Sequence, residues 1–385
     1  MIYKFLALLT YLFTVYISFT MPIGPSEARY MYEEFSAVQI LMQLSASYPR
    51  LPFLLIATVN FFLFYKLTQY YLHRQKDRGI ALAIFVLLPG IISSAILSDQ
   101  SSLGIFATLL FLLAYKKGVK LVQVLSLILL LLVHKASIIL FLAILIYASY
   151  SKKLYLLLTS LILLTVGFYL HGFDVSGKPS GYFLELFALY ALVFSPFLFL
   201  YFLFAIYRQG VIDKNRDILL FVSAISLVLS FVLSIRQYIH IEDFAPFVVI
   251  AVILMVDTFS KSYHVRLRPF RKRYKVAFFL ILSSLIINSF VLLNHKWLFY
   301  IKDPQVHFAY NFYQPYALAK KLKDQGITCI DAQSQRLQNQ LRFYEIDRCN
   351  EYILHTKEDK SDKKLEIYYK EVYFETLHVS KVNTF

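Results

Sequence analysis

Four short polar segments interrupt an otherwise apolar sequence, and their side chains are of types that catalyse reactions or bind charged ligands. In chain order, the segments are 24–34, 98–100, 133–135 and 235–243. They combine carboxylates with Lys, Arg and His. Carboxylates take up protons or bind divalent cations, whereas Lys and Arg bind phosphate. On one face, these segments would suit a phosphorylated substrate carried in a membrane.

Two carboxylates are the first candidates for chemistry. Ser26 is predicted to N-cap a helix on which Glu27, Tyr30 and Glu34 share one face. Glu27 is a candidate base or metal ligand, although an acid in the first turn also stabilises a helix by itself. Asp99 lies where one apolar block ends and the next begins, and the alternative interpretation is a residue that only forms a turn.

The elements that must position these residues are membrane spans. The chain is 58% hydrophobic and 16% charged, which is too apolar for a soluble protein. Its apolar blocks are about 15–25 residues long, the length that crosses a bilayer as a helix. The first block has only Lys4 as a basic flank and no small-residue cleavage site, so it is predicted to be an uncleaved span. The sequence predicts about eleven spans, near 2–22, 51–72, 79–98, 102–116, 119–133, 136–150, 154–171, 181–207, 217–235, 244–260 and 276–294.

The formal net charge of +15 is explained by orientation, not by nucleic-acid binding. Basic residues cluster in every second connection, at 74–78, 116–120, 152–153, 208–216 and 261–275. This alternation is the positive-inside pattern, so these connections are predicted to be cytoplasmic and to face anionic lipid. The N-terminus is then cytoplasmic. The four polar segments and the tail all lie on the external face.

Composition changes after Leu293, and the remaining residues predict a small α/β domain. The predicted organisation is a transmembrane domain, 1–294, followed by an extracytoplasmic domain, 295–385. A helix over 314–323 should end at Gly326, and a second helix is predicted over 334–344. Strands are predicted at 327–330, 352–355 and 366–374.

The only two cysteines, Cys329 and Cys349, both lie in this tail. An external tail is in an oxidising compartment, where a pair of cysteines can form one disulfide. Two buried free thiols are the alternative.

Several short motifs occur in an order typical of a known family. The motifs are Ser26-Glu27-Ala28-Arg29-Tyr30, Arg50-Leu51-Pro52, Leu88-Pro89 before Asp99, Lys135 between short spans, Arg236 with Tyr238, and Leu341-Arg342-Phe343-Tyr344. Their order resembles the GT-C superfamily of integral-membrane glycosyltransferases. Within it, the chain looks most like the group of protein O-mannosyltransferases and lipid A aminoarabinose transferases. The resemblance implies an all-α polytopic membrane protein with a small extracytoplasmic α/β domain.

The resemblance also implies an activity. A sugar would pass from a polyprenyl-phosphate donor to a lipid, glycan or protein acceptor of the cell envelope, at the external face of a bacterial inner membrane. Ser26 stands where the family motif has its first acid, so the role of general base would pass to Glu27 or Glu34. Asp99 would help to activate the acceptor or, with Glu27, would hold a divalent cation such as Mg, Mn or Zn. The implied substrate-binding residues are Arg29, Tyr30, Lys135, Arg236, Tyr238 and His240.

Two other functions stay open at this point. A non-catalytic relative would keep the fold as a scaffold in glycan assembly. A transporter or flippase of lipid-linked glycans should show internal repeats or paired broken helices, and the sequence has no evident repeat.

Overall fold

The computed structural model describes residues 2–33, 36–45, 48–172, 181–300, 303–355 and 363–381, and all structural statements concern these residues. It divides into two compact units. The first unit comprises Met1–Val15 and Arg50–Phe290, and the second comprises Tyr16–Pro49 and Val291–Phe385.

The described part of the chain is mainly helical. Its helices are α1 (Ile2–Thr20), α2 (Pro25–Tyr32), α3 (Ala37–Leu44), α4 (Leu51–Thr68), α5 (Gln75–Leu87), α6 (Pro89–Ile96), α7 (Gln100–Lys117), α8 (Lys120–Val133), α9 (Ser137–Ser151), α10 (Leu154–His171), α11 (Phe183–Phe194), α12 (Pro196–Tyr207), α13 (Ile218–Ser234), α14 (Ile241–Val248), α15 (Val252–Val265), α16 (Arg268–Leu293), α17 (Tyr310–Asp324) and α18 (Gln335–Phe343). The strands are β1 (Tyr352–His355), β2 (Lys363–Tyr369) and β3 (Val372–Lys381).

The apolar blocks form helices because a helix satisfies every backbone polar group within one segment, as hydrocarbon requires. Among the described residues, four helices are long and apolar enough to cross a bilayer alone, or up to seven if each bent pair forms one span. Three shorter apolar helices are α8, α9 and α13. These findings fit a polytopic helical membrane protein. The predicted number of about eleven spans stays a prediction.

Two predicted spans are not single straight helices. The block predicted as 181–207 forms α11 and α12, which are bent by 102° about Ser195. Pro196 begins α12, and Ser195 has the left-handed φ of +76°. Proline lacks the backbone N–H and clashes with the preceding turn, which explains the break. Pro89 likewise begins α6 after a 58° bend from α5.

Aromatic contacts pack the core of the first unit. Phe64 of α4 stacks on Phe85 of α5, with 3.9 Å between the ring centroids. Tyr190 of α11 stacks on Phe199 of α12 at 5.5 Å, and its hydroxyl lies 3.0 Å from Ser230 Oγ on α13. Because Tyr190 is fully buried, this hydrogen bond satisfies a hydroxyl that water cannot reach.

Basic residues and tyrosines contact each other where α4, α7 and α13 meet. Asp217 N-caps α13, accepts a hydrogen bond of 2.5 Å from the Tyr71 hydroxyl, and forms an ion pair with Lys116. The Lys116 ammonium also lies 4.4 Å from the centre of the Tyr71 ring. This network ties three helices together at the basic end of the first unit.

The second unit contains the tail, the end of α1 and the first loop as far as Pro49. Its antiparallel sheet has the order β1-β3-β2, and Leu354 of β1 pairs with Val379 of β3. Leu318 and Leu322 of α17 pack in its core with Leu341 of α18. The predicted tail helices therefore form, although α17 begins four residues earlier than predicted.

Gly326 ends α17 as predicted. Its φ is +74°, and its N–H donates to the Lys323 carbonyl, while the Ile327 N–H donates to the Leu322 carbonyl, each at 3.0 Å. These two bonds form a Schellman motif, which favours glycine.

Two strand predictions for the tail were wrong. Among the described residues, the segment 327–330 makes one isolated bridge, which pairs Cys329 with Asp347. The run predicted as one strand over 366–374 is a hairpin, in which β2 ends at Tyr369 and β3 begins at Val372. Lys370 takes the left-handed φ of +55° at this turn, so the usual glycine signal is missing from the sequence.

The structure bonds Cys329 to Cys349, with 5.5 Å between the two Cα atoms. This distance is typical of a disulfide. The bond links the segment after α17 to the segment before β1.

Candidate active site

Asp99 begins α7 and lies at the centre of a buried polar group in the first unit. Its side chain accepts a hydrogen bond of 3.0 Å from the Ser101 N–H and a further bond from the Ser102 N–H. The hydroxyl of Ser101 lies within reach of both the Asp99 carboxylate and the Glu242 carbonyl, 3.4 Å away. We refer to Asp99, Ser101, Ser102, His134 and Glu242 as the Asp99 cluster. It joins three of the four polar segments with α7.

The environment of Asp99 disfavours its charged form. Burial raises the pKa of the carboxyl well above its ordinary value of 3.8, and the nearby negative charge of Glu242 raises it further. Hydrogen bonds from Ser101 and Ser102 oppose this rise only in part. Carboxyl groups with raised pKa values are suited to accepting or donating protons near neutral pH.

His134 is a neutral, buried imidazole. Its Nδ1 accepts a hydrogen bond of 3.2 Å from the Ala136 N–H, which assigns the ring proton to Nε2. Burial lowers the pKa of His134 to about 4; the main chain of Glu242 opposes this shift and the charge of His171 adds to it. The ring is therefore a hydrogen-bond donor at neutral pH, not a cation.

Glycine at position 104 makes room for this imidazole. A Cβ atom there would lie 2.7 Å from His134 Cδ2 and 3.2 Å from Pro246 Cβ. Phe247 packs on the ring, with 5.8 Å between centroids. The position of the ring is thus fixed by α7, α14 and the main chain after α8.

Several buried polar atoms in this region have no hydrogen-bond partner within the described part of the chain. They are Ser102 Oγ, Ser137 Oγ and Asn60 Oδ1. Asn60 Nδ2 donates to the Ser102 carbonyl at 3.0 Å, so α4 also contributes to the group. Unsatisfied buried polar atoms are rare and mark places where water or a ligand binds.

The predicted phosphate-binding residues lie at the surface of the same end of the first unit. Lys135 is exposed, and its charge interacts with Asp243. Arg236, Tyr238 and His240 are exposed on the connection before α14. The Tyr238 ring packs edge-on against His240, with 5.2 Å between centroids. Cationic and aromatic side chains therefore lie at the same end of the first unit as the buried carboxyl.

The Asp99 cluster and the basic end lie at opposite ends of one helical segment. Ile241–Val265 is long enough to cross a bilayer, with Glu242 near its start and His264 near its end. These two residues are about 33 Å apart at 1.5 Å per residue, close to the thickness of the hydrocarbon core. This separation agrees with polar segments and basic clusters on opposite membrane faces.

Glu27 belongs to the second unit and stabilises its own helix. The N-cap residue of α2 is Gly24, not Ser26 as predicted, and Pro25 takes the first helical position. Glu27 Oε2 accepts a hydrogen bond of 2.7 Å from the Gly24 N–H. The side chain is only 1% exposed. This is the capping role that the sequence left open as the alternative to catalysis.

Helix α2 packs on α18 from the tail. The Tyr344 hydroxyl accepts from the Ile23 N–H at 3.2 Å, and Asn339 Nδ2 donates to Glu33 Oε1 at 2.8 Å. Arg342 lies over the Tyr32 ring at 4.7 Å. Of the other predicted residues of this segment, Arg29 is exposed and Tyr30 is buried, while Glu34 lies outside the described residues.

The described residues do not fit a metal centre built from protein ligands alone. No group of three or more His, Cys, Asp or Glu side chains among them is arranged to hold a metal ion. Glu27 and Asp99, the predicted ligand pair, belong to different units. Their metal-binding role stays a prediction.

Sequence reasoning missed five residues of this region: Asn60, Ser101, Ser102, Gly104 and Pro246. Asn60 had a signal, because a lone amide within an apolar span marks a buried polar contact. The two serines follow Asp99 at the positions whose N–H groups an N-cap residue binds. Gly104 and Pro246 had no signal, because their importance depends on the approach of His134 from another helix.

Comparison with known proteins gives one informative result. No protein-family model and no curated protein matches the sequence. Among solved structures, ArnT from Cupriavidus metallidurans in the apo state matches with a TM-score of 0.59 and 11% sequence identity, over 99% of this chain and 97% of that chain. ArnT from the same organism bound to undecaprenyl phosphate matches with a TM-score of 0.49 and 11% identity, over 100% of this chain and 98% of that chain.

At 11% identity, the likeness is one of fold. It extends over nearly the whole chain, including the α/β tail, and it confirms the resemblance predicted from the order of the motifs. The chain has the fold of ArnT, the lipid A aminoarabinose transferase of the GT-C group.

Proposed function

We propose that this protein is a membrane glycosyltransferase that uses a polyprenyl-phosphate-linked sugar as donor. The acceptor is a lipid, glycan or protein of the cell envelope, and transfer takes place at the external face of a bacterial inner membrane. The observation that carries the proposal is the buried Asp99 carboxyl, whose pKa is raised well above its ordinary value beside the Ser102 hydroxyl, which has no partner among the described residues. The ArnT-like fold and the exposed cations at the same end of the first unit support it.

The proposed reaction forms a bond between an acceptor oxygen or nitrogen and the anomeric carbon of the sugar. The bond between that carbon and the phosphate oxygen breaks, and polyprenyl phosphate leaves with the electron pair. The acceptor proton passes to a carboxylate. In the first unit, Asp99 is suited to this step, because a carboxylate of ordinary pKa is a weak base.

Lys135 and Arg236 are proposed to bind the donor phosphate. Both are exposed at the end of the first unit that holds the Asp99 cluster. A cation near a leaving phosphate stabilises the charge that develops as the sugar departs. The neutral His134 ring adds no charge to this site.

Transfer from a radiolabelled polyprenyl-phosphate sugar in membranes of the native host tests the proposal. Asp99→Asn should lower kcat by about 10²–10⁴, the usual contribution of a general base. Lys135→Ala should mainly raise the KM for the donor. Lys117→Ala is the matched control, because it removes the same exposed charge at the opposite end of α7 and should leave both constants unchanged.

Wild-type kinetics for both Asp99→Asn and Lys135→Ala would show that the site is wrongly assigned. The experiment requires variants that insert and accumulate normally. Antibody detection in the membrane fraction provides that measurement.

A non-catalytic scaffold in glycan assembly is the second candidate. It is favoured by Glu27, whose buried carboxylate binds the Gly24 N–H, and by Ser26 at the position of the family acid. The two candidates make opposite predictions. A scaffold would show no transfer in the wild-type protein, while its deletion would still disrupt the surface glycan of the host.

A further inference from the structure

An apolar groove lies at the basic end of the first unit, remote from the Asp99 cluster. Its volume is about 110 Å³, and helices α5, α12, α15 and α16 line it. The lining includes Leu198, Met255, Phe278, Leu282 and Leu285. In a membrane, such a groove opens toward lipid and not toward water.

The outer wall of the groove is helix α16, which packs loosely on the rest of the unit. Only 17% of its most apolar stretch, within Pro269–Leu293, is buried, and the side chains of Val276, Phe279 and Leu280 are each more than half exposed. A helix so exposed is stable only if hydrocarbon covers it. The groove therefore lies at the interface between protein and lipid.

The length of the groove matches one leaflet of a bilayer. Along α16, its lining runs from Tyr274 to Leu285. At 1.5 Å per residue this is about 16 Å, half of the ~30 Å hydrocarbon core. Part of one acyl chain that enters from the basic end would fill it, with the rest of the chain along the exposed face of α16.

Polar groups lie at the basic end of this groove. The hydroxyls of Tyr201 and Tyr274 are 3.5 Å apart. The Arg266 guanidinium lies 4.6 Å from the centre of the Tyr274 ring. Arg208 follows α12 one turn after Phe204, donates a hydrogen bond of 2.6 Å to Ser262 Oγ, and has its Nε 3.8 Å from Asp213 Oδ2. Guanidinium groups bind phosphates with two parallel hydrogen bonds.

From this arrangement we infer that the groove binds one anionic phospholipid of the leaflet at the basic end. An acyl chain lies between α12, α15 and α16, and Arg208 and Arg266 bind the phosphate. The two tyrosine hydroxyls lie near the junction between chain and head group. A zwitterionic phospholipid has the same tail but lacks the net negative charge that attracts both guanidinium groups. This site is separate from the donor site of the proposed transferase.

Native mass spectrometry of the full chain in mild detergent tests the inference. Phosphatidylglycerol and phosphatidylcholine with identical acyl chains are the probes, titrated separately. We expect one phosphatidylglycerol molecule to bind at least tenfold more tightly than phosphatidylcholine. Equal retention of the two lipids would overturn the inference.

Variants of α16 and of the segment before it locate the bound lipid. Ala277→Trp fills the groove and should abolish the tight adduct, whereas Val276→Trp, on the exposed side of the same helix, should retain it. Arg266→Gln should weaken binding roughly tenfold, since it removes one charge-assisted contact. Arg273→Gln is its control, because it removes an equal exposed charge from the second turn of α16. A tight adduct on Ala277→Trp would place the lipid elsewhere.

Competition with undecaprenyl phosphate separates this site from the proposed donor site. We expect an excess of undecaprenyl phosphate to leave the phosphatidylglycerol adduct in place. Displacement at equal concentration would assign the groove to the tail of a polyprenyl lipid and would overturn the inference. Because none of these measurements depends on sugar transfer, their outcome is independent of the proposed activity.

Discussion

Gly104 allows a quantitative test of how tightly the His134 ring packs on α7. In Gly104→Ala, the new Cβ would lie 2.7 Å from His134 Cδ2, whereas ordinary contact begins at 3.4 Å. The ring must retreat by the difference, about 0.7 Å. It has little room to do so, because its Nδ1 is bonded to the Ala136 N–H and its face packs on Phe247.

The expected cost follows from the physics of overpacking. Inserting a methyl group into a tightly packed core typically destabilises a protein by about 1–3 kcal/mol. Alanine in a helix interior contributes about 1 kcal/mol of stability relative to glycine. Gly104→Ala should therefore lower the free energy of unfolding or leave a small net change. Gly79→Ala should raise it, since a Cβ at that position in α5 meets nothing within 4 Å.

The assay is thermal unfolding of both variants in the same detergent, together with sugar transfer in membranes. We expect Gly104→Ala to unfold at a lower temperature than Gly79→Ala and to lose transfer. His134→Ala in the Gly104→Ala background should recover part of the lost stability, because the clash is removed. If Gly104→Ala and Gly79→Ala have the same unfolding temperature and the same transfer rate, the His134 ring does not pack tightly on Gly104.

Four further predictions follow from the two units. Asp99→Asn should raise the free energy of unfolding at pH 7–8, because burial raises the pKa of the Asp99 carboxyl in the folded protein, so its ionisation destabilises the fold above that pKa and has no effect below the unfolded value of 3.8. Unfolding measured against pH should show that the stability gained by the variant vanishes near pH 4. Glu27→Gln should keep the stability of the wild type, because its amide oxygen can still accept from the Gly24 N–H, while Glu27→Ala should lose about 1.5–3 kcal/mol. Loss of sugar transfer in Glu27→Gln without loss of stability would identify Glu27 as a base, and transfer at the wild-type rate would show that Glu27 only caps its helix. Thiol labelling of the unfolded, unreduced protein should find neither Cys329 nor Cys349 free, and Cys329→Ser should cost roughly 3 kcal/mol for a loop of 20 residues; two labelled thiols would contradict the bond. Alkaline phosphatase fused after Asn294 should be active and a fusion at Tyr263 inactive; the opposite result would invert the predicted orientation.

The sequence predicted that four polar segments share one face, because charge alternation places their connections together, and three of the four meet in the first unit. Asp99, Lys135 and the segment before α14 do lie at one end of the first unit. The pattern could not show that His134 is the buried member of its pair and Lys135 the exposed one. That choice depends on Gly104, a contact between helices that local spacing does not encode.

The sequence also could not predict how α2 is buried. Its amphipathic face was recognised, but its partner is α18, and the Asn339–Glu33 hydrogen bond joins residues 306 positions apart. Local patterns describe neighbours within a few turns. The break at Ser195 has a local signal in the sequence, because Pro196 favours the start of a new helix. The continuous hydrophobicity of the block nevertheless favoured a single span.

The pairing of α2 with α18 has a consequence for biogenesis. A ribosome adds about 5–20 residues per second, so the 306 positions between Glu33 and Asn339 require about 15–60 s of synthesis. Throughout that interval the first loop lacks the helix that covers it. Ala28 and Tyr30, both buried in the finished protein, then face the aqueous compartment or a chaperone. Newly made chains are thus vulnerable to proteases in this loop until the last quarter of the polypeptide emerges, and premature termination within the tail leaves the loop permanently open to cleavage.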